Sequence, residues 1–296
     1  MANLRDVRLR MRAIRQTLQV TRAMDLISTS KLRKGRRVLE DTEPFFERIQ
    51  KSMYDIISSI SNVQSSFFRR PDSSKPSHAA VIIITSDKGL AGGYNANVIR
   101  QANELCSEVN NPALVLVGNI GYRYFAHANH VILENFTYHS QLPTLENAGE
   151  IADYIISNFL WGMFSDVYIV YTHMYSTIRL MPTVRQILPL NAEKLQTELS
   201  SMGNMKRVEL KFEFIPSEES VFDALVPLYI KGVIYGSMVE SYASEQSARM
   251  AAMDKASKSA EDMLFELQIS YNRARQAGIT QEMAEIVGGS SAQTGK

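Results

Sequence analysis

The stretch from Val239 to Ala277 constrains this chain most, because small and apolar residues recur there at alternating steps of three and four. The positions are Val239, Tyr242, Gln246, Arg249, Met253, Ala256, Ala260, Met263, Leu267, Ser270, Ala274 and Ala277, a period held for more than five heptads. That spacing is the mark of a long supercoiled helix. The seam is mostly Ala, Ser and Met, so a partner backbone can come close while each side chain buries little area. Gln246 and Arg249 interrupt it, and polar seam positions give up stability to fix register or to meet another chain. Pro216 followed by Ser217, Glu218 and Glu219 marks a helix start, with acids on the positive end of the dipole, and Gly288-Gly289 marks its end. Such a helix would run on the order of 100 Å, about twice what a compact domain of this size covers, so part of it is expected to project. Pro227 lies some turns in, and the straight part is expected after it.

A second seam opens the chain. Leu4, Val7, Met11, Ile14 and Leu18 step by three and four, and Arg5, Arg8, Arg12, Arg15 and Arg22 form a guanidinium stripe beside them. At Thr21 and Asp25 this seam turns polar, and Val20, Met24 and Ile27 are expected to take over next to it. A later stripe, Phe45, Ile49, Met53, Ile56, Ile60 and Val63, extends the helix to about Asn62. Pro44 removes one backbone hydrogen bond between the two stripes, so a kink or a restart is expected there, with Thr42 as a cap.

Charge is unevenly spread. Residues 1–37 carry eleven Lys and Arg against Asp6 and Asp25, a net +9 in a chain whose total is +1, which leaves the remainder at −8. Taken alone, such a stripe is either a solvated face or a surface for nucleic acid, anionic lipid or an acidic protein. Aromatic residues that would stack on single-stranded bases are absent before Phe45. The longest uninterrupted apolar runs, Ala79 to Ile84 and Ala113 to Val117, are too short to cross a membrane. No signal peptide is expected, and the basic start reads as a structural helix rather than a transit segment. The single Cys106 precludes an internal disulfide and fits a reducing compartment.

From Ala79 to about Leu190 the pattern changes. Short β-rich runs (79–85, 113–117, 130–136, 167–174 and a further one at 183–190) alternate with helical ones (95–109, 121–128, 145–161). That alternation predicts an α/β domain with a mostly parallel, Rossmann-like sheet covered on both faces. Residues 191–206 read as a mobile loop, and Val208 to Phe214 alternates like an edge strand. The expected organisation is an N-terminal coiled-coil helix (1–66), a Pro- and Ser-bearing linker (67–78), the α/β domain (79–215), a C-terminal coiled-coil helix (216–288) and a flexible tail (289–296). Two seamed helices at the ends of one chain can satisfy their seams by pairing with each other. Because a folded domain joins their inner ends, an antiparallel coiled coil is the simplest geometry.

The search for chemistry yields little. The loop Ser86-Asp87-Lys88-Gly89-Leu90-Ala91-Gly92-Gly93-Tyr94-Asn95 lies where an α/β sheet binds nucleotides, but its glycines fit neither a P-loop nor a dinucleotide turn. A tight strand-to-helix turn is favoured over phosphate binding. His127 and His130 stand without a further His or Cys at ligand spacing. Asn135-Phe136-Thr137 matches a glycosylation acceptor in a chain with no secretory signal. No catalytic triad or carboxylate pair can be assigned. The last segment, Ile279, Met283, Ile286 and Val287, keeps an apolar face where the N-terminal helix is expected to have run out, and an apolar tip is built to fit into something.

Several runs together resemble the gamma subunit family of F-type ATP synthases. They are Ile14 to Met24 (IRQTLQVTRAM) with Ser30 to Lys34, the loop SDKGLAGGYN, Glu240 to Met253 (ESYASEQSARMAAM), and Tyr271 to Ala277 followed by Ile279 to Glu282 and Glu285 to Val287. The resemblance implies a central rotor shaft. Its paired terminal helices would sit inside a ring of alpha and beta subunits, and its α/β domain would rest on the c-ring of the membrane sector beside an epsilon subunit. ATP chemistry would occur on beta, so no catalytic residue, cofactor, metal or nucleic acid is implied for this chain, and its membrane association would be indirect. By motif, contacts with the alpha/beta ring would fall on Arg22, Met24, Arg249, Arg275, Gln276, Thr280 and Glu285. The chain departs from the family where Gln19-Val20-Thr21-Arg22 replaces the frequent Lys-Ile-Thr-Lys and where Ala91 replaces a frequent Cys. With one Cys the chloroplast type's thiol switch has no pair, and a bacterial enzyme at the cytoplasmic face of the cell membrane is expected.

Two other readings compete: a coiled-coil scaffold for acidic proteins, and an α/β enzyme that uses the SDKGLAGGYN loop. The paired-helix geometry is open to a direct test. If Leu267 is buried in the seam, Leu267→Ala should cost roughly 2–5 kcal/mol in chemical denaturation. An unchanged unfolding midpoint would argue against pairing.

Overall fold

The computed structural model describes residues 4–59, 65–68, 77–128, 130–137, 143–191, 215 and 217–294. They form two compact units, Ser30–Ala248 and the pair Met1–Thr29 with Arg249–Lys296. Two long helices, α1 (Leu4–Ser59) and α5 (Glu218–Thr294), contribute to both.

In the 30–248 unit the β-rich runs form β1 (His78–Ile84), β2 (Pro112–Val117), β3 (Val131–Phe136), β4 (Phe164–Met174) and β5 (Leu180–Leu188). The sheet order is β3-β2-β1-β4-β5. The first four strands are parallel, and β5 returns antiparallel beside β4. Alternation along β1 assigns its side chains to two faces. Val81 and Ile83 join Leu114 and Leu116 beneath α2 (Tyr94–Glu108) and α3 (Asn119–Phe125), where Val98, Ala102 and Phe125 are buried. On the other face Ile82, Ile84 and Val115 meet α4 (Leu145–Leu160), Ile49, Met53 and Ile56 of α1, and Phe222, Val226, Ile230 and Ile234 of α5. The central strands are covered twice, which is why they read as unbroken apolar runs.

Several boundaries differ from the sequence reading. The stretch taken to begin the linker contributes Phe67 to the core: it is 5% exposed, its carbonyl accepts from Leu190 N at 2.8 Å, and Phe68 stacks on Phe222 with ring centres 5.2 Å apart. α1 runs through Pro44 without a restart. Thr42 is not a cap, since its hydroxyl donates back to Val38 O at 2.8 Å. One lost ladder bond is outweighed here by the apolar face that follows it. α5 likewise contains Pro227 and continues through Gly288 and Gly289 to Thr294. It holds one window apolar enough in composition to cross a membrane, but 56% of that window is buried within the protein. The expected edge strand 208–214 and most of the loop 191–206 lie outside the described residues.

α5 docks onto β4 through small polar side chains. β4 pairs with β1 only as far as Val170, and beyond that point serines of α5 serve the backbone of β4 and of the turn that follows it. Thr172 N donates to Ser241 Oγ at 3.3 Å, Ser244 Oγ donates to Thr172 O at 3.2 Å, and Ser247 Oγ donates to Thr177 O at 2.7 Å. Next to Ser241, Glu240 Oε2 lies 2.5 Å from His173 Nδ1. Burial pushes the Glu240 carboxyl above its usual range, and the neighbouring His173 opposes that rise. Pairing of α1 and α5 in this unit is close and antiparallel. A Cβ on Gly35 would lie 3.2 Å from Tyr242, and one on Gly232 would lie 2.3 Å from Phe46, so the contact moves back along α5 as it moves forward along α1.

In the other unit the same two helices are joined by Arg8 to Tyr271, Thr21 to Ser257 and Arg22 to Glu261, which again fixes an antiparallel coiled coil. Both seams keep the 3-4 period, but their phase departs from the sequence reading. On α1 the first stripe does not hand over: Thr21 (7% exposed) and Ser28 (1%) are buried, while Val20 (54%) and Ile27 (56%) are exposed. Thr21 and Ser257 share a buried hydrogen bond of 2.7 Å, and the Thr21 hydroxyl also lies 3.1 Å from Leu18 O, so a polar pair can occupy the seam. On α5 Met253, Ala260, Leu267 and Ala274 are seam positions as expected. Their alternates fall one residue later, on Ser257, Leu264 and Tyr271, and Met263, Ser270 and Ala277 are exposed. Leu267 is half-buried, which places Leu267→Ala near the lower end of its range.

Two outcomes follow from these contacts. Thr21→Val strands the buried Ser257 hydroxyl and should cost about 1–3 kcal/mol, Ser257→Ala leaves the Thr21 hydroxyl its bond to Leu18 O and should cost less, and the double change should cost less than the sum of the two. Additive costs in a denaturant-based double-mutant cycle would contradict the bond. For Glu240, a folded pKa above the unfolded value means that its contribution is present at low pH and is lost as pH rises through the folded pKa. The melting temperature of Glu240→Gln relative to the parent should therefore rise as pH is raised above the ordinary carboxyl range, and a difference that is constant or falling would contradict the assigned environment.

Candidate functional site

The loop after β1 is the first place to look, since open α/β sheets bind ligands beyond the carboxyl ends of their strands. Its polar groups are committed to holding its own shape. Ser86 N donates to Asn95 Oδ1 at 3.0 Å, and the Ser86 hydroxyl donates to Lys88 O at 2.8 Å. Asp87 Oδ1 accepts from Asn119 N at 3.1 Å, so a carboxylate already occupies the start of α3. Tyr94 N, at the start of α2, is spent on Ala91 O. Leu90 and Gly92 take the left-handed conformation with φ of 64° and 56°. Gly118, at φ 94°, lets the next loop approach so closely that a Cβ there would lie 2.2 Å from Thr85 O. This is a strand-to-helix turn braced by side chains, and an anion would have to displace its internal bonds.

The described histidines form no metal centre with other described residues. His127 is exposed, His130 packs edge-on against Phe125 with ring centres 5.6 Å apart, and no group of three potential ligands is found among the described residues. Burial raises the Cys106 thiol to about 11, which makes it a poor nucleophile.

What remains is a surface, and it belongs to the unit formed by 1–29 and 249–296. Arg22 is exposed and pairs with Glu261 of its own chain at 2.5 Å. With the two side chains 61% and 48% exposed, this pair stabilises by about 1 kcal/mol at most. Met24 and Arg249 are half-buried, and Arg249 lies beside the seam rather than in it. Arg275, Gln276, Thr280 and Glu285 are exposed on the last turns of α5. Their contacts are local: Thr280 Oγ1 donates to Gln276 O at 2.9 Å and Gln281 Nε2 to Glu285 Oε1 at 3.0 Å. Around them Ile279, Met283, Ile286 and Val287 are 48–71% exposed, the apolar tip expected from the sequence.

The arginine stripe is outward-facing along α1 and is pinned at intervals. Arg8 donates to Tyr271 OH at 2.8 Å and sits over that ring at 5.6 Å. Glu261 was not picked out from the sequence, and Tyr271 only as the start of a motif run. The signal for both was their place at or beside the α5 seam in its true phase.

Comparison with known proteins gives this surface a family context. A family model described as ATP synthase matches residues 3–293. The ATP synthase gamma chain of Acetivibrio thermocellus is 41% identical, with 99% of each chain covered. The sodium ion specific ATP synthase gamma chain of Acetobacterium woodii is 37% identical, with 98% of each chain covered. Among solved structures, the fold is shared with a chain of Euglena gracilis mitochondrial ATP synthase in an assembly containing F1 and the c-ring (TM-score 0.65, 16% identity, 98% and 94% covered). It is shared too with a central stalk chain of Tetrahymena thermophila mitochondrial ATP synthase (TM-score 0.60, 23% identity, 80% and 99% covered). A full-length relative at 41% identity and a family match over nearly every residue lead to one conclusion: this chain belongs to the ATP synthase gamma chain family.

Proposed function

We propose that this chain is the central rotor shaft of an F-type ATP synthase and transmits torque from an ion-driven membrane ring to catalytic sites on other subunits. The observation that carries this reading is the full-length gamma-chain relationship of a chain whose terminal helices pair as an antiparallel coiled coil. The chain is a non-catalytic subunit, and ATP is made and hydrolysed on beta. A shaft changes the equilibria of such sites only through contacts that differ with angle, which calls for a few polar catches on an otherwise apolar bearing. Arg22, Met24, Arg249, Arg275, Gln276, Thr280 and Glu285 are the catches toward alpha and beta. The α/β domain meets epsilon and the c-ring, and the complex holds the chain at the cytoplasmic face of a bacterial membrane.

Co-expression with alpha and beta tests the reading. One copy should join three of each and support ATP hydrolysis. Combining Arg275→Ala, Gln276→Ala and Glu285→Ala should keep that stoichiometry while lowering turnover about tenfold, within the ordinary range of coupling free energies. Exclusion of the full chain from the ring would overturn the rotor assignment, and unchanged turnover in the triple variant would overturn the catches.

A further inference from the structure

A cavity of about 160 Å³ lies within the 30–248 unit, bounded by α1, α5, β4 and β5. Rings of Phe46, Tyr171, Tyr229 and Tyr235 form much of its wall, and Glu240 and Arg185 give it a charged end. Arg185 Nη2 donates to Tyr229 OH at 3.2 Å, and Glu240 is held by His173 from β4.

Two glycines of α5, one turn apart, line this cavity, and they differ in kind. Gly232 is required by packing, because a Cβ there would strike the Phe46 ring at 2.3 Å. No contact among the described residues requires Gly236: its φ is not positive, and a Cβ there would meet none of their atoms within 4 Å. Glycine inside a helix destabilises it relative to alanine, so at this position the helix gives up stability and keeps space open. A cavity of roughly 150 Å³ can take a benzene-sized molecule. Here the aromatic wall suits a flat ring, while the carboxylate and guanidinium suit a hydroxyl that both donates and accepts.

We propose that this cavity is a binding site for a small hydroxylated aromatic molecule, a single ring of phenol size seated beside Gly236 with its hydroxyl toward Glu240 and Arg185. The site is separate from the surface assigned to torque transmission and does not depend on that assignment. A ligand there bridges α1, α5 and the sheet, so it stabilises the docking of both helices onto the domain.

The test uses the full-length chain, with phenol as the probe and benzene and cyclohexanol as controls, read by saturation-transfer NMR and thermal melting. Phenol should bind in the millimolar range, more tightly than either control, and should raise the melting temperature with dose. Gly236→Ala should raise the melting temperature of the free chain and weaken phenol, and Gly236→Val should weaken it about tenfold or more by filling the space. If the valine variant does not fold, Gly236→Ala carries the comparison, since it adds one methyl group to open space. Glu240→Gln should weaken phenol while leaving benzene unchanged. No phenol binding at millimolar concentration would show a water-filled void, and binding indifferent to both Gly236 variants would place phenol elsewhere. No phenol binding together with loss of alpha/beta assembly in Gly236→Ala would show that the cavity takes a partner's side chain. Each of these would overturn the proposal.

Discussion

The close docking of α5 on β4 is the constraint on which the α/β unit depends. A strand that outruns its parallel neighbour leaves backbone donors and acceptors facing the protein interior, where unpaired groups are costly. Ser241 and Ser244 satisfy the backbone N–H and carbonyl of Thr172, and Ser247 bonds the Thr177 carbonyl in the turn after the strand. Serine is small enough to let the helix backbone approach and carries the hydroxyl to complete the ladder. Larger residues at these positions would separate the helix from the sheet and take Phe222, Val226, Ile230 and Ile234 away from the face they cover. The motif ESYASEQS, one of the runs that carries the family resemblance, therefore has an internal task.

The sheet was legible because its cause is local. Strands covered on both faces must be apolar throughout, and β1, β2 and β4 announce themselves in that way. The antiparallel return of β5 was not legible, since a half-exposed run carries no mark of direction. The helical period was legible too, but its phase was not. Neighbouring residues such as Ala256 and Ser257, or Met263 and Leu264, offer the seam nearly equal claims, and only the partner helix decides between them. Thr21 shows the reason most clearly. By itself it interrupts an apolar stripe, and it is a good seam residue only because Ser257, 236 positions away, supplies a hydrogen bond.

For the candidate site the sequence offered a set of motif positions, while the contacts that restrain them within the chain were not legible. Arg22 is held by Glu261 within the chain, and the proposed acidic partner would have to compete for it. An exposed pair of this kind is weak enough to open, so the internal contact can orient the guanidinium without preventing exchange. The same economy holds along the stripe, where Arg8 rests on Tyr271. A basic surface held in place by weak bonds can make and break contacts at low cost, as a part that must move past its neighbours requires.

The central claim is that this chain turns within its complex. The most direct measurement attaches a bead through Gly89→Cys, an exposed loop position where a Cβ meets nothing within 4 Å, in a chain whose buried Cys106 is replaced by Ala, after assembly with alpha and beta on a surface. On addition of ATP the account predicts sustained stepwise rotation in one direction. A bead that stays fixed while the same immobilised complexes hydrolyse ATP would contradict it.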